Sequence, residues 1–306
     1  MTERTSADRR IQGIAAYLGI TFVLSWLPAL VVRDLWSLRT SHVVYDLAAG
    51  SLLYALTMGW QPLVATWMTR RWVENEPADN GMRRPTRGYL ALASFGPLLL
   101  ALGASIVAWA VGLASLAGES ATPVGAPSWA TSVTLAGAMV VAVVLIWVQA
   151  FAEEVGWRGY FLTRLMEQVG PTRGLLLHGL AWGVWYAPVL LAGANVGEGP
   201  GRFAIFAVTC ALLGGLLGWL RLASGSVLAS ATANAVLTAS AGLPLLLGGF
   251  DVGLRGAIYG PAGWVPMGLL LAAVLVGPCR RAVRLRNGAA VEKAPPEVAP
   301  RPSVLH

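Results

Sequence analysis

One adjacent pair of acidic residues, Glu153 and Glu154, lies in an otherwise apolar region and is followed by Arg158. On an α-helix Glu154 and Arg158 are i,i+4 neighbours, and this order favours an ion pair. Glu153 projects about 100° away, on the face that carries Trp157. The spacing therefore predicts one neutralised carboxylate and a second that is free to act as a general base. The alternative is an interfacial Glu–Arg clamp that only anchors the end of a helix.

Histidine, the common partner of such a carboxylate, is scarce in this chain. Of the three histidines, only His178 lies in an apolar run, since His42 and His306 fall outside such runs. Zinc sites normally need three or four ligands from His, Cys, Asp and Glu, and neither HExxH nor CxxC occurs. A single histidine on an apolar helix is typical of a buried core residue. The sequence also offers no Ser–His pair for nucleophilic catalysis.

The elements that hold these residues are predicted to be membrane-spanning helices. Hydrophobic residues make up 56% of the 306-residue chain and charged residues only 12%, about half the charged share of soluble domains. Uncharged apolar runs long enough to cross a bilayer recur along the chain. Eight spans are predicted, at residues 11–32, 47–69, 88–118, 129–152, 174–197, 203–220, 222–250 and 256–279. The fold class is therefore all-α, a polytopic bundle of about eight transmembrane helices.

The basic residues indicate the orientation of this bundle. With a cytoplasmic N-terminus, 18 of the 22 Lys and Arg residues fall in inside segments, as the positive-inside rule requires. We therefore expect a multi-pass protein of the cell membrane with both termini in the cytoplasm. The formal charge of +7 is assigned to contacts with anionic membrane lipids and not to nucleic acid.

The chain is predicted to form a single transmembrane domain over residues 1–285. Residues 286–306 are rich in Pro and Ala and are predicted to be a disordered cytoplasmic tail. The third and seventh apolar runs exceed the bilayer thickness, and residues 242–244 (Gly-Leu-Pro) are a predicted break. A transporter is disfavoured, because neither internal repeats nor paired intramembrane charges are evident.

Residues 153–160 (EEVGWRGY) resemble the EExxxR motif of the CPBP family of intramembrane proteases. That family includes the type II CAAX prenyl endopeptidases and the Abi proteins linked to bacteriocin self-immunity. Residues 179–188 (GLAWGVWYAP) are similar to its second motif, FxxxH or WxxWHxP. Residues 217–221 and 225–228 are similar to the run before its third motif, HxxxN. The resemblance covers a core at about 151–240, with a weaker match at residues 58–62.

The resemblance implies a role for each matching residue. Glu153 corresponds to the family's water-activating glutamate, Glu154 to its second glutamate and Arg158 to its motif arginine. Tyr186 stands at the position of the second-motif histidine. Asn234 stands at that of the third-motif histidine, and Thr238 at that of the motif asparagine. The implied site is Glu153, Glu154, Arg158, Tyr186 and Asn234, with Tyr186 and Asn234 expected to face Glu153 in one cavity.

The family implies a divalent metal such as zinc and a membrane-anchored or prenylated peptide as substrate. Because both histidines are replaced, Glu153 is the only strong candidate for a metal ligand here. Two readings of function follow. One is an intramembrane endopeptidase of the CAAX-processing type with a weakened or lost metal site. The other is a catalytically inactive relative that acts as a membrane binding or scaffold protein, like the immunity proteins.

Overall fold

The computed structural model describes residues 3–32, 53–75, 80–112, 144–191, 201–240 and 258–276. Every regular element in these ranges is helical, which confirms the predicted all-α fold class. In chain order the helices are α1 (Glu3–Val31), α2 (Gln61–Thr69), α3 (Arg87–Ala110), α4 (residues 144–154), α5 (Leu162–Val169), α6 (Pro171–Trp185), α7 (Ala187–Leu191), α8 (Arg202–Ser224), α9 (Val227–Ser240) and α10 (Pro261–Val276). Wider π-helical turns flank α2, at Ala55–Gly59 and Arg70–Glu74, and a third joins α4 to α5, at Val155–Phe161.

Three of these helices are long and apolar enough to cross a bilayer. They are Asp8–Val31 within α1, Arg87–Ala110 (α3) and Phe203–Ser224 within α8, at the first, third and sixth predicted spans. Shorter apolar helices, Val227–Ser240 and Pro261–Val274, lie within the seventh and eighth. The protein is therefore a helical membrane protein. The number of eight spans stays a prediction, since large parts of several runs fall outside the described residues.

Glycine residues mark the ends of two helices. Gly225 follows α8 in a left-handed conformation (φ 67°), and its N–H donates to the carbonyl of Arg221 at 2.9 Å, as at many helix C-termini. The third apolar run leaves the helical conformation after Ala110, and Gly112 has φ 71°. The predicted break at residues 242–244 and the tail at 286–306 lie outside the described residues.

Helix α8 packs against α6, α9 and α10, while α9 and α10 also pack against α3. The contact between α6 and α8 depends on glycine. A Cβ atom on Gly179 would lie 2.7 Å from Cα of Ala211, and one on Gly214 would lie 2.8 Å from Cα of Gly179. The two backbones therefore approach closely at this point, as small residues allow in membrane helices.

A cluster of ionic contacts connects α5 to the end of α2. Arg164 donates through Nε and Nη2 to the two carboxylate oxygens of Glu74, at 3.1 and 2.9 Å. The Tyr160 hydroxyl donates to Glu74 Oε1 at 2.7 Å. Burial, then the bond to Glu74, raises the pKa of Tyr160, so this phenol stays a donor. The cluster holds the segment after the EExxxR motif against α2.

Candidate functional site

The EExxxR motif spans the end of α4 and the π-helical turn Val155–Phe161, all of whose residues are buried. Glycines allow this turn to contact its neighbours closely. A Cβ atom on Gly156 would lie 2.5 Å from the carbonyl oxygen of Pro62, and one on Gly159 would lie 3.1 Å from that of Asn80. The expected regular α-helix is therefore replaced from Val155 onward by a wider turn. Pro62 belongs to the segment 58–62 that resembles the family only weakly, and this segment packs directly on the motif.

Glu154 and Arg158 form the ion pair that their spacing predicts. Nη1 of Arg158 lies 2.6 Å from Oε1 of Glu154, and both side chains are 0% exposed. The Arg158 guanidinium also lies over the Trp182 ring, 4.1 Å from its centroid, a cation–π geometry. A buried pair of this kind neutralises both charges in the protein interior.

Asn234 contacts Glu154 and not Glu153, which differs from the expected arrangement. Its Nδ2 donates to Glu154 Oε1 at 3.0 Å, so this oxygen accepts from both Asn234 and Arg158. Asn234 lies at the middle of α9 and is almost fully buried. Thr238, one turn further along α9, is exposed.

Glu153 is almost fully buried, at 3% exposure, and has different partners. The Tyr54 hydroxyl lies 2.9 Å from Glu153 Oε1, and Nε2 of Gln149 donates to the same oxygen at 3.5 Å. The Tyr54 hydroxyl is also 2.8 Å from the hydroxyl of Tyr186. Tyr186 therefore reaches Glu153 through Tyr54 and not by direct contact.

Sequence reasoning missed Tyr54 and Gln149. Gln149 lies four residues before Glu153 on α4, so its contact could have been inferred from the i,i+4 rule. Tyr54 is separated from Glu153 by 99 residues, and no local pattern connects them. The only signal was its position just before the weakly matching segment 58–62.

His178 is a buried residue of the bundle core. It is 0% exposed, and its ring centroid lies 6.0 Å from that of Trp157 and 5.8 Å from that of Phe161. Gly214 of α8 faces its Nδ1. These surroundings agree with the core role expected for a single histidine. His42 and His306 lie outside the described residues.

The side chains around Glu153 do not fit the divalent metal that the resemblance implies. Its neighbours are two phenols and an amide, while Glu154 is already engaged by Arg158 and Asn234. Zinc favours His and Cys ligands. Within the described ranges, no three His, Cys, Asp or Glu side chains come together in a way that could hold a metal ion.

The described helices and the buried, unequal glutamate pair define a helical membrane protein with a protease-like motif in its core. Residues 135–240 match the family model described as Type II CAAX prenyl endopeptidase Rce1-like. This match covers about a third of the chain and confirms the resemblance to CAAX-type intramembrane proteases that was drawn from the motifs. The matched range holds Glu153, Glu154, Arg158, Tyr186 and Asn234. The chain matches no curated protein.

Proposed function

We propose that this protein is a metal-independent intramembrane endopeptidase, in which Glu153 is the general base that activates water. The observation that supports this most directly is the unequal environment of the two glutamates. Arg158 neutralises Glu154 at 2.6 Å, whereas the described neighbours that donate to Glu153 are neutral groups, Tyr54 and Gln149. A buried carboxylate without a cationic partner has a strong tendency to accept a proton, which is the property that a general base needs.

The proposed reaction is hydrolysis of a peptide bond. Glu153 takes a proton from water while the water oxygen bonds to the carbonyl carbon, giving a tetrahedral intermediate. Asn234 has a second amide hydrogen beside the one it donates to Glu154, and this hydrogen can stabilise the oxyanion. The protonated Glu153 then gives its proton to the amide nitrogen as the carbon–nitrogen bond breaks. The products are a carboxylate and an amine.

The substrate class follows from the membrane setting and the family. We propose a peptide segment anchored at the membrane, in the form that a prenylated C-terminus would have, with membrane lipids as the other contact. The distribution of basic residues supports a multi-pass protein of the cell membrane with both termini cytoplasmic. Such a protein would receive its substrate laterally or from the interface.

The test uses the full chain in lipid vesicles and a fluorescence-quenched peptide anchored through a farnesylated cysteine. We expect cleavage that a zinc chelator does not inhibit. Glu153→Gln should lower kcat by about a hundred-fold or more, since general-base catalysis contributes at least that much. The matched control is Glu167→Gln, a partly exposed glutamate of α5, which should cleave normally. Equal cleavage by Glu153→Gln and the wild type would refute the proposal.

A non-catalytic role is the second candidate, and a specific observation favours it. Glu154, Arg158 and Asn234 bind one another, and both histidine positions of the family hold other residues. Such a relative would bind a membrane-anchored peptide or protein without cutting it. In the vesicle assay such a protein would bind the labelled peptide stoichiometrically, and mass spectrometry would detect no cleaved fragment.

A further inference from the structure

We infer that Tyr54 is a positioning residue that holds Glu153 through one carboxylate oxygen and leaves the other, Oε2, to meet water. The catalytic meaning of this contact rests on the proposed hydrolysis, whereas the contact itself rests on the distances from Tyr54 and Gln149 to Glu153. No family motif matched in this chain includes Tyr54.

The donors to Glu153 converge on a single oxygen. Tyr54 lies 2.9 Å and Gln149 3.5 Å from Oε1. Among the described residues, neither these side chains nor any other contact places a donor on Oε2. A carboxylate held at one oxygen has a defined orientation, and its remaining lone pairs at the other oxygen are available to a water molecule.

The ionised carboxylate of Glu153 determines the direction of the hydrogen bonds between Tyr54 and Tyr186. The two hydroxyls are 2.8 Å apart, and a phenol has one hydrogen to donate. Because a carboxylate accepts but cannot donate when ionised, the consistent arrangement has Tyr186 donating to Tyr54 and Tyr54 donating to Glu153. The residue that replaces the second-motif histidine therefore acts on Glu153 through a chain of two phenols.

Aromatic packing keeps this chain of phenols in place. The rings of Tyr54 and Tyr186 are stacked, with centroids 5.9 Å apart and planes at 10°. Trp185 contacts both rings edge-on, with centroids 6.2 Å from Tyr54 and 5.0 Å from Tyr186. Gly59 lies against Gln149, so the turn that follows Tyr54 also packs on the second donor. The segment from Tyr54 to Gly59 therefore carries one donor to Glu153 and packs against the other, Gln149.

The experiment combines turnover with a spectroscopic readout that does not depend on turnover. In the vesicle assay with the farnesylated peptide, Tyr54→Phe should lower kcat by about ten-fold to a hundred-fold, the value of one hydrogen bond to a charged group. KM should be unchanged, because Tyr54 touches the base and not the peptide. Tyr186→Phe should lower kcat less, by about three-fold to ten-fold, since Tyr54 keeps its own proton. Tyr89→Phe, at a partly buried tyrosine of α3, is the matched control and should match the wild type.

The second readout is the ultraviolet resonance Raman difference spectrum between the full chain and Tyr54→Phe, which isolates one of the seven tyrosines. In this difference spectrum, the phenol bands of Tyr54 should have the positions typical of a strong hydrogen-bond donor. In the Glu153→Gln background, the same difference should show bands at the positions typical of a weaker donor. If Tyr54→Phe does not fold, Tyr186→Phe and the effect of Glu153→Gln on the tyrosine bands decide the matter.

The outcomes separate this inference from the proposed function. A kcat equal to that of the wild type in Tyr54→Phe, or tyrosine bands that do not shift on Glu153→Gln, would overturn the positioning role of Tyr54. Either result would leave the proposed hydrolysis unaffected. If the wild type cleaves nothing but the bands respond to Glu153→Gln, hydrolysis fails and the positioning of Glu153 by Tyr54 stands. A fall in kcat together with a change in the bands supports both.

Discussion

Glu153 and Glu154 are adjacent in the chain but lie in different chemical surroundings. Glu154 shares a fully buried pair with Arg158 and accepts a further bond from Asn234. Glu153 meets a phenol and an amide. The difference arises because consecutive side chains on a helix project about 100° apart and so meet different neighbours. One side chain can serve the fold while the next remains available for chemistry.

The first residue-scale prediction concerns the buried ion pair. Arg158→Ala should destabilise the protein by about 3–5 kcal/mol, because it leaves Glu154 buried without its cationic partner. The measurement is thermal unfolding of the purified protein in detergent. Arg173→Ala, at an exposed arginine in the first turn of α6, is the control and should unfold like the wild type. An unchanged melting temperature for Arg158→Ala would contradict a structural role for the pair.

The second residue-scale prediction concerns metal binding. The native chain should retain less than stoichiometric zinc after dialysis, because phenol and amide groups are poor zinc ligands. Tyr186→His combined with Asn234→His should gain zinc, since two imidazoles would then join the Glu153 carboxylate and leave a position for water. Metal content by mass spectrometry checks this, with each single variant as control. Stoichiometric zinc in the native protein would show that the metal is held by a different set of residues.

At the scale of elements, the site depends on close contacts between backbones. The motif turn Val155–Phe161 packs on α2 through Gly156, and α6, which leads to Tyr186, packs on α8 through Gly179 and Gly214. In a bilayer, apolar side chains gain little by moving from lipid to a contact with another helix, because lipid tails are equally apolar. Close contacts between small residues are therefore a main source of helix association. The glycines near the motif are therefore structural requirements of the site.

The element-scale prediction tests one of these contacts. Gly179→Ala should destabilise the protein by about 1–3 kcal/mol, the usual cost of overpacking, because the added methyl group meets backbone atoms of α8 that cannot move aside. Gly268→Ala, in α10, adds a methyl group where no atom lies within 4 Å, and its unfolding should be unchanged within about 0.5 kcal/mol. Thermal unfolding in detergent compares the two. Equal melting of both variants would contradict close packing of α6 on α8.

For the molecule as a whole, both the exposed apolar surface and the distribution of basic residues indicate a protein that lies in a membrane. Long helices expose apolar side chains outward, including Leu27, Phe95 and Leu99, as lipid-facing helices do. Basic residues concentrate in the segments between predicted spans. The whole-molecule prediction therefore concerns topology.

Single cysteines placed at Thr5, Ser41 and Pro295, in a chain whose native Cys210 and Cys279 are replaced, should report the sides of the membrane. The first and last should react only after the cells are permeabilised, and the middle one should react with an impermeant maleimide in intact cells, because 18 of 22 basic residues then lie inside. Cysteine at Cys210 alone, which is buried, provides the unreactive control. A label at residue 295 that is accessible from outside, while the label at residue 5 is not, would mean an odd number of spans.

The features that depend on local order along the chain could be predicted from the amino-acid sequence. Apolar run length predicted a helical membrane protein, and the Glu154–Arg158 spacing predicted the ion pair that forms at 2.6 Å. The sequence motifs, above all the EExxxR motif, predicted the family whose model matches residues 135–240. Each of these follows from neighbours within a few positions, because helix length and i,i+4 contacts are local properties.

The contacts between side chains that are distant in the chain became visible in the folded structure. It assigned Asn234 to Glu154 instead of Glu153, brought Tyr54 to Glu153 across 99 residues, and connected Tyr186 through Tyr54. It also widened the helix at Val155, where the motif turn packs against Pro62. These contacts depend on how the helices are rotated and spaced against one another. Packing between remote segments sets that arrangement, and no local pattern in the chain records it.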